Sequence, residues 1–539
     1  MIRTLQYIFS LLLLSSLALP AFAQPGDLPS EEVEVIKDFE AQLVEAEKLG
    51  LQPELPPLDT NQRKLVYTIP SKATSVEYLP PKIRPIAMKR DKVAQSYNGF
   101  LKLGYGIPSS PYAELAYSKI DPNKYAFGGH LRHHSANYND LENQRFMETS
   151  GKVNGTYFFE QGYAVEGQLG FTADEVHFYG YDHTIDAYPR EEVRQRFNVF
   201  DFKARLFNGE QTQGDINYSA ETNFYALSDN YATDERGFDI KIGASKWFNN
   251  QHQARVDIIT DFTNLEDTAK QTLHNFFLQP NFTLHGDLFK LKLGVNIAAH
   301  DDEFNFFPDI QASANIVGNQ LAAFAGAEGS LRKNSFRALS DYNPFIISRV
   351  QLRNTNYHHF YGGVRGTLKI VDYRVQAGFK RARDLALFLT DATDTIRFDV
   401  LYDTVNVVNL QGTLNARPIK GLEIMVTLGQ NFFSLENEEK AWHLPALDFN
   451  VGARYKTLED KLTLKGELFI ENGVPYRDLQ GNVDNLNGLF DLNLGAEYQI
   501  SENIAAFFDL NNIASNKRQR WFRYPTYGLN IMGGITARF

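Results

Sequence analysis

The chain ends Tyr527-Gly528-Leu529-Asn530-Ile531-Met532-Gly533-Gly534-Ile535-Thr536-Ala537-Arg538-Phe539. Counting back from Phe539, alternate residues are Ala537, Ile535, Gly533, Ile531, Leu529 and Tyr527. Those between them are Arg538, Thr536, Gly534, Met532, Asn530 and Gly528. A strand turns successive side chains to opposite faces, so one face here is mostly apolar and the other small or polar. In water, a terminal strand with an exposed aromatic end invites edge-to-edge aggregation. In a membrane barrel that aromatic sits at the bilayer interface, and the strand pairs with the first one to close the ring.

The same alternation recurs from Asn98 onward. Tyr163, Val165, Gly167, Leu169 and Phe171 alternate with Ala164, Glu166, Gln168 and Gly170. Phe289 to Ile297, Val371 to Phe379, Leu447 to Tyr455 and Phe490 to Tyr498 repeat the pattern, with charges of both signs, Gly and Asn between the apolar residues. Each run is about ten residues, enough to cross a bilayer at a barrel's tilt. Aromatics such as Phe449 and Tyr455 end the apolar faces, as interfacial girdles require. Turn signals are short: Asn208-Gly209, Asn249-Asn250, Gly286-Asp287, Gly318-Asn319, Lys420-Gly421 and Glu459-Asp460. Asn208-Gly209 is the strongest, because Asn-Gly accepts the positive φ angles of a tight hairpin. Dividing 98–539 this way predicts a single antiparallel outer-membrane β-barrel of roughly 18 to 22 strands, favouring the upper end. Longer connections at 181–191, 341–355, 473–486 and 511–526 are expected on its outer side.

Composition fits this all-β transmembrane class. The 539 residues include 41 Phe and 27 Tyr but no Cys, and the net charge is −11. Acidity of this size argues against nucleic-acid binding. Without a long apolar run, a bundle of membrane helices is excluded, whereas a barrel is not.

Residues 1–23 read as a signal peptide, with Arg3, an apolar run from Ile8 to Leu19 and the site Ala21-Phe22-Ala23. Residues 24–97 read as a periplasmic leader. An amphipathic helix is predicted over 30–49, with Val33, Ile36, Phe39, Leu43 and Ala46 on one face among acids, stopped by Gly50. It docks on its own barrel or on a periplasmic or outer-membrane protein partner. A Pro-rich extended tether follows from Gln52 to Lys92, with a short strand at Leu65-Ile69.

The segment Phe507-Phe508-Asp509-Leu510-Asn511-Asn512-Ile513, followed by Asn516-Lys517, Trp521, Tyr524-Pro525 and Gly528, resembles the C-terminal end of TonB-dependent outer-membrane receptors. Gly99 to Gly106, Pro111 to Leu115 and Gly128 to Leu131 are similar to Bacteroidota-type TonB-receptor-like barrels, whose leader also resembles Val35 to Phe39 with the Pro-rich tether. The last strand, Tyr527 to Phe539, resembles the segment by which outer-membrane assembly machinery recognises its clients. The resemblance implies a barrel contacting outer-membrane lipid. A receptor of that family has a folded plug larger than 24–97 allows, so the expectation is a barrel lacking a full plug domain.

Chemistry-bearing clusters are few. His130, His133 and His134 share one strand, with His130 and His134 on one face; Ser135 and His134 point to opposite faces, which suits a polar lumen or rim better than a hydrolase. His358 and His359 read as a rim cluster at a strand start. His300-Asp301-Asp302-Glu303 reads as a solvated turn, lacking the ligand spacing and Gly of a calcium loop. Gly167, Gly294, Gly452 and Gly495 read as close packing or curvature. No catalytic, cofactor-binding or metal site is expected, and no enzyme activity. Two functions stay open: a channel or transporter for small polar solutes, and a structural or accessory subunit of a larger outer-membrane complex. A lumen knitted shut by opposed charges would favour the second, and a clear stripe of one sign the first.

Overall fold

The computed structural model describes residues 97–121, 124–138, 141–210, 212 and 214–539. The expected signal peptide, leader helix and tether lie outside the described residues. Twenty-two antiparallel strands, from Gly99–Ile107 to Asn530–Arg538, form one sheet. It closes because the last strand pairs with the first, Lys102 opposite Thr536 and Ile107 opposite Ile531. Closure leaves no unpaired edge, which is the condition for strands to exist in lipid. Among the described residues no helix is long and apolar enough to cross a membrane.

The period-2 pattern fixes which face meets lipid. In the strand Arg194–Asn208, Phe200 and Phe202 are exposed on the outer face, while Asp201, Lys203 and Arg205 face inward opposite Tyr225, Asn223 and Glu221. Ile535 and Phe539 are likewise exposed outward, and Met532 and Thr536 are buried inward. A charge placed in the outer belt has no partner there. Ile242→Arg, at the centre of Asp234–Phe248, is expected to cost about 2–4 kcal/mol of folding into vesicles. Lys241→Ala, one residue away but facing the lumen, should change refolding little; equal losses in urea titrations would contradict the facing.

The turns place the long connections at one end. Those on the terminus side are short, and Asn249 and Asn250 both take φ near 52°, the two-residue turn that matches strand twist. The Asn-Gly expectation is corrected here. Asn208 ends its strand, and its side chain accepts from the Tyr218 amide (2.8 Å) and donates to Asn217 (2.8 Å) in a connection reaching Ile216. All four long connections expected from sequence lie at the opposite end, which barrel architecture makes the outer side. They are joined there by 391–397 and 436–446.

Three further expectations change. Tyr527 precedes the last strand and turns inward, stacking on Tyr138 (4.5 Å between centroids) and against Phe146. His358 and His359 lie inside the strand Arg353–Leu368 rather than at its start, because that strand continues past the rim. Of the glycines, a Cβ at Gly294 would meet Asn281 at 2.7 Å and one at Gly495 would meet Asp509 at 2.6 Å, so close packing holds for these. Gly167 and Gly452 face open space.

Candidate functional site

The lumen wall carries charge, but the pairs run along it. Lys102 faces Asp509 (3.7 Å), Lys203 faces Glu221 (3.1 Å), Arg255 binds Asp257 (2.6 Å) and Lys292 donates to Asp309 (2.7 Å). These partners sit on the same or nearby strands, so they line the interior without bridging it. His130 and His134 face this lumen as expected, His130 2.9 Å from Glu114 and His134 3.3 Å from Ser110. Ser135 instead lies 3.3 Å from His133, on the other face. His300 to Glu303 form a turn, His300 3.4 Å from Asp301.

What crosses the lumen is chain. The strands Leu321–Asn334 and Arg353–Leu368 extend beyond their neighbour and bend inward, carrying between them a short helix, Phe336–Tyr342, and the segment down to Leu352. The bend shows in the contacts. Leu331 is buried against Phe277, Ala298 and Phe307, all from inner faces. Asn296 donates to the Gly329 carbonyl at 3.0 Å, and Asn356 to Asn305 at 2.8 Å.

A row of inward polar residues holds this insert. Glu235, fully buried, accepts from the first helix amides, Phe336 N at 2.6 Å and Arg337 N at 3.2 Å, and from the Tyr225 hydroxyl at 2.8 Å. Those amides have no partner within the helix, and the helix dipole adds to the attraction. Ser335 caps the same end, accepting from Ala338 N at 3.2 Å. Arg337 grips Asp201 with two donors, at 2.7 and 3.2 Å. Lys333 reaches Asp261 (2.6 Å) and Thr263 (2.8 Å). Gln271 clamps the backbone, donating to Val350 O (2.8 Å) and accepting from Leu352 N (3.0 Å), while Asn275 and Asn354 exchange amide bonds.

The insert's other face joins an aromatic core. Phe336, Leu339, Phe345 and Ile346 belong to one buried cluster with Phe197, Leu227, Phe388, Phe398, Trp521 and Tyr524. Phe345 stacks on Tyr524 at 3.9 Å, and Trp521 packs against Phe388, Phe398 and His443. Phe197 lies on the sixth barrel strand and Phe398 on the sixteenth, nearly opposite in a ring of 22. Continuous apolar packing therefore spans the outer mouth. Hydroxyls tie the rim together: Tyr524 donates to Ile396 O and Tyr179 to Pro525 O (3.1 Å).

His443 is the pH-sensitive member of this lid. Its Nδ1 faces the Phe388 carbonyl at 2.9 Å and so carries the proton, and Phe522 N–H donates to Nε2 at 3.2 Å. Burial drives the imidazole down to about 4, with nearby Arg520 adding to the fall and the Phe388 bond opposing it. A base with a lowered folded value stabilises the lid fully above its ordinary value near 6.5, and that stability drains as pH falls toward 4. The loss reaches about 3 kcal/mol at the lower limit. Limited proteolysis of the 512–529 loop should accelerate from pH 7 to pH 5, and His443→Gln, which offers a donor and an acceptor but no titrating group, should flatten the dependence.

Below the insert the described residues leave cavities in the lumen. A cavity of about 1010 Å³ lies at the terminus end, lined by Lys369, Arg417, Arg454 and Lys465 with Asp372, Glu423, Glu467 and Asp509. Four cations and four anions balance, so it selects neither sign. A second cavity of about 520 Å³ sits under the helix, between Arg337, Asp201, Lys203, Asn223 and Tyr225. Among the described residues no group of His or acidic side chains is arranged to hold a metal ion.

No family model and no curated protein matches the chain. Solved structures do. The ferric-catecholate import receptor Fiu from K12 E. coli aligns with TM-score 0.65 at 7% identity, over 82% of each chain. The FrpB iron transporter from Neisseria meningitidis gives 0.65 at 8% identity over 83% of each chain. The siderophore receptor PiuA from Acinetobacter baumannii gives 0.63 at 9% identity, over 83% of this chain and 82% of its own. Identity this low carries the fold and not the ligand. The chain shares with these structures the fold of a closed antiparallel β-barrel, here of 22 strands.

Proposed function

We propose that this protein is an outer-membrane transport barrel for small polar solutes, gated from outside by its own loops. The observation that carries the reading is the inserted segment 329–356, which fills the outer half of a polar lumen yet is fixed to the wall by hydrogen bonds and ion pairs. Such contacts exchange with water at modest net cost, so the insert can leave once the lid packed on its aromatic face opens with it. The charge-balanced cavity beneath it fits solutes that are neutral or zwitterionic. The same proposal takes 1–23 as a cleaved signal, 24–97 as a periplasmic leader in place of a full plug, and the receptor-like barrel as Bacteroidota type. It also takes Tyr527 to Phe539 as the contact for assembly machinery.

Proteoliposome uptake of labelled small sugars and amino acids tests this reading. Flux through a variant whose insert is shortened, with little through the wild-type protein, supports it. A folded barrel that stays impermeable with both the insert and 24–92 removed overturns it in favour of a structural subunit.

A further inference from the structure

The outer wall carries a basic patch that the transport reading does not use. Along the strand Arg145–Phe158 the outward residues run Arg145, Met147, Thr149, Gly151 and Val153. Along Tyr163–His177 they run His177, Glu175, Ala173, Phe171 and Leu169. Along Arg194–Asn208 they run Arg194, Arg196, Asn198, Phe200 and Phe202. The register sets Glu175 beside Arg196 and His177 beside Arg194, and Arg236 continues the row two strands further on, above exposed Phe238. Arg190 comes in from the loop that follows His177.

Five guanidinium groups thus sit immediately above an apolar belt, at its outer boundary. Two are neutralised: Arg190 lies 3.3 Å from Glu175, and Arg194 lies 2.8 Å from Glu191. Among the described residues no ion pair forms at Arg145, Arg196 or Arg236. The Nε donors of Arg194 and Arg196 are buried and have no acceptor. Guanidinium groups at this depth meet head groups rather than acyl chains, and their planar forks match phosphate oxygens two at a time.

We infer that this patch, centred on Arg145, Arg196 and Arg236, binds the phosphates of a phosphorylated glycolipid in the outer leaflet. The lipid lies with its acyl chains along Phe171, Phe200 and Phe238 and its phosphates on the arginine row. Charge complementarity selects an anion, and the continuity of the row with the apolar belt selects a lipid over a free ion.

Native mass spectrometry of the full-length protein, released from detergent with bisphosphorylated lipid A as the probe, tests the inference. The wild-type protein should retain the lipid through activation. Arg145→Gln/Arg196→Gln/Arg236→Gln should retain on the order of tenfold less, as loss of charge-assisted bonds predicts. The corresponding triple Lys variant should recover part of the binding, and Arg381→Gln/Arg383→Gln, outward on another strand, should bind like wild type. Heat-modifiable gel migration checks that each barrel is folded, and Arg196→Gln alone replaces the triple variant if that fails to fold. Equal retention by the Gln variant, or of lipid A stripped of its phosphates, overturns the site. Displacement of the lipid by millimolar inorganic phosphate overturns the lipid assignment and leaves a free-anion site.

Discussion

Replacing Phe336–Leu352 by a short Gly-Ser linker should turn a nearly silent barrel into a large, steady channel. The physical reason is size. Barrels of about 16–18 strands already enclose aqueous channels, and a ring of 22 is wider and conducts unless something fills it. Here the filling at the outer mouth is the insert with the aromatic core built on it, and Phe345, Ile346 and Leu339 leave together when the segment is cut. Single-channel conductance should rise on the order of tenfold or more over wild type, given a lumen wider than a porin's. The measurement is made with and without residues 24–92. Openings that need both deletions would make the leader a second barrier. No openings in either background, from a barrel with folded gel migration, would show that other loops close the mouth alone.

Glu235→Ala is expected to loosen the insert without unfolding the barrel. The substitution leaves the amides of Phe336 and Arg337 and the Tyr225 hydroxyl buried without an acceptor. Each such orphan costs roughly 1–3 kcal/mol, so the local opening free energy should fall by about 3 kcal/mol or more. Glu235→Gln keeps one acceptor oxygen and should lose less. Hydrogen exchange separates local from global effects: amides of 336–352 should exchange far faster while strand amides such as those of Asp234–Phe248 keep their protection. Uniformly faster exchange would mean that Glu235 supports the barrel rather than the insert.

Much of the scaffold was legible in the chain before any tertiary contact. Alternation in Tyr163–Phe171 or Val371–Phe379 survives in any register that keeps the apolar face on lipid, because slipping by one residue would put Asp372 or Arg374 into the membrane. That single constraint predicted strand length, outward face, closure by the last strand and a count near the observed 22. Local turn chemistry was less reliable. Asn249-Asn250 makes the tight turn, whereas Asn208-Gly209 gave way to a longer connection in which the Asn208 side chain serves Tyr218.

The insert was not legible. Its sequence, Phe336 to Leu352, looks like any long loop, and only its length marked it. Glu235, Asp261 and Asn275 read as ordinary polar positions of alternating strands, with nothing to distinguish them from Lys241 or Asn281. Their role arises because residues 70 to 101 positions apart in the chain, such as Lys333 with Thr263 and Phe336 with Glu235, meet inside the ring. Tyr527 was assigned to the lipid face by the same parity that was right for Ile531 and Ile535, and it failed because the strand begins only at Asn530. Parity is a property of a strand and lapses where the strand ends. The sequence alone determined a transmembrane β-barrel, since lipid tests every second residue locally. Whether the lumen is open, and what closes it, was decided by tertiary structure, because that depends on which distant side chains face each other across it.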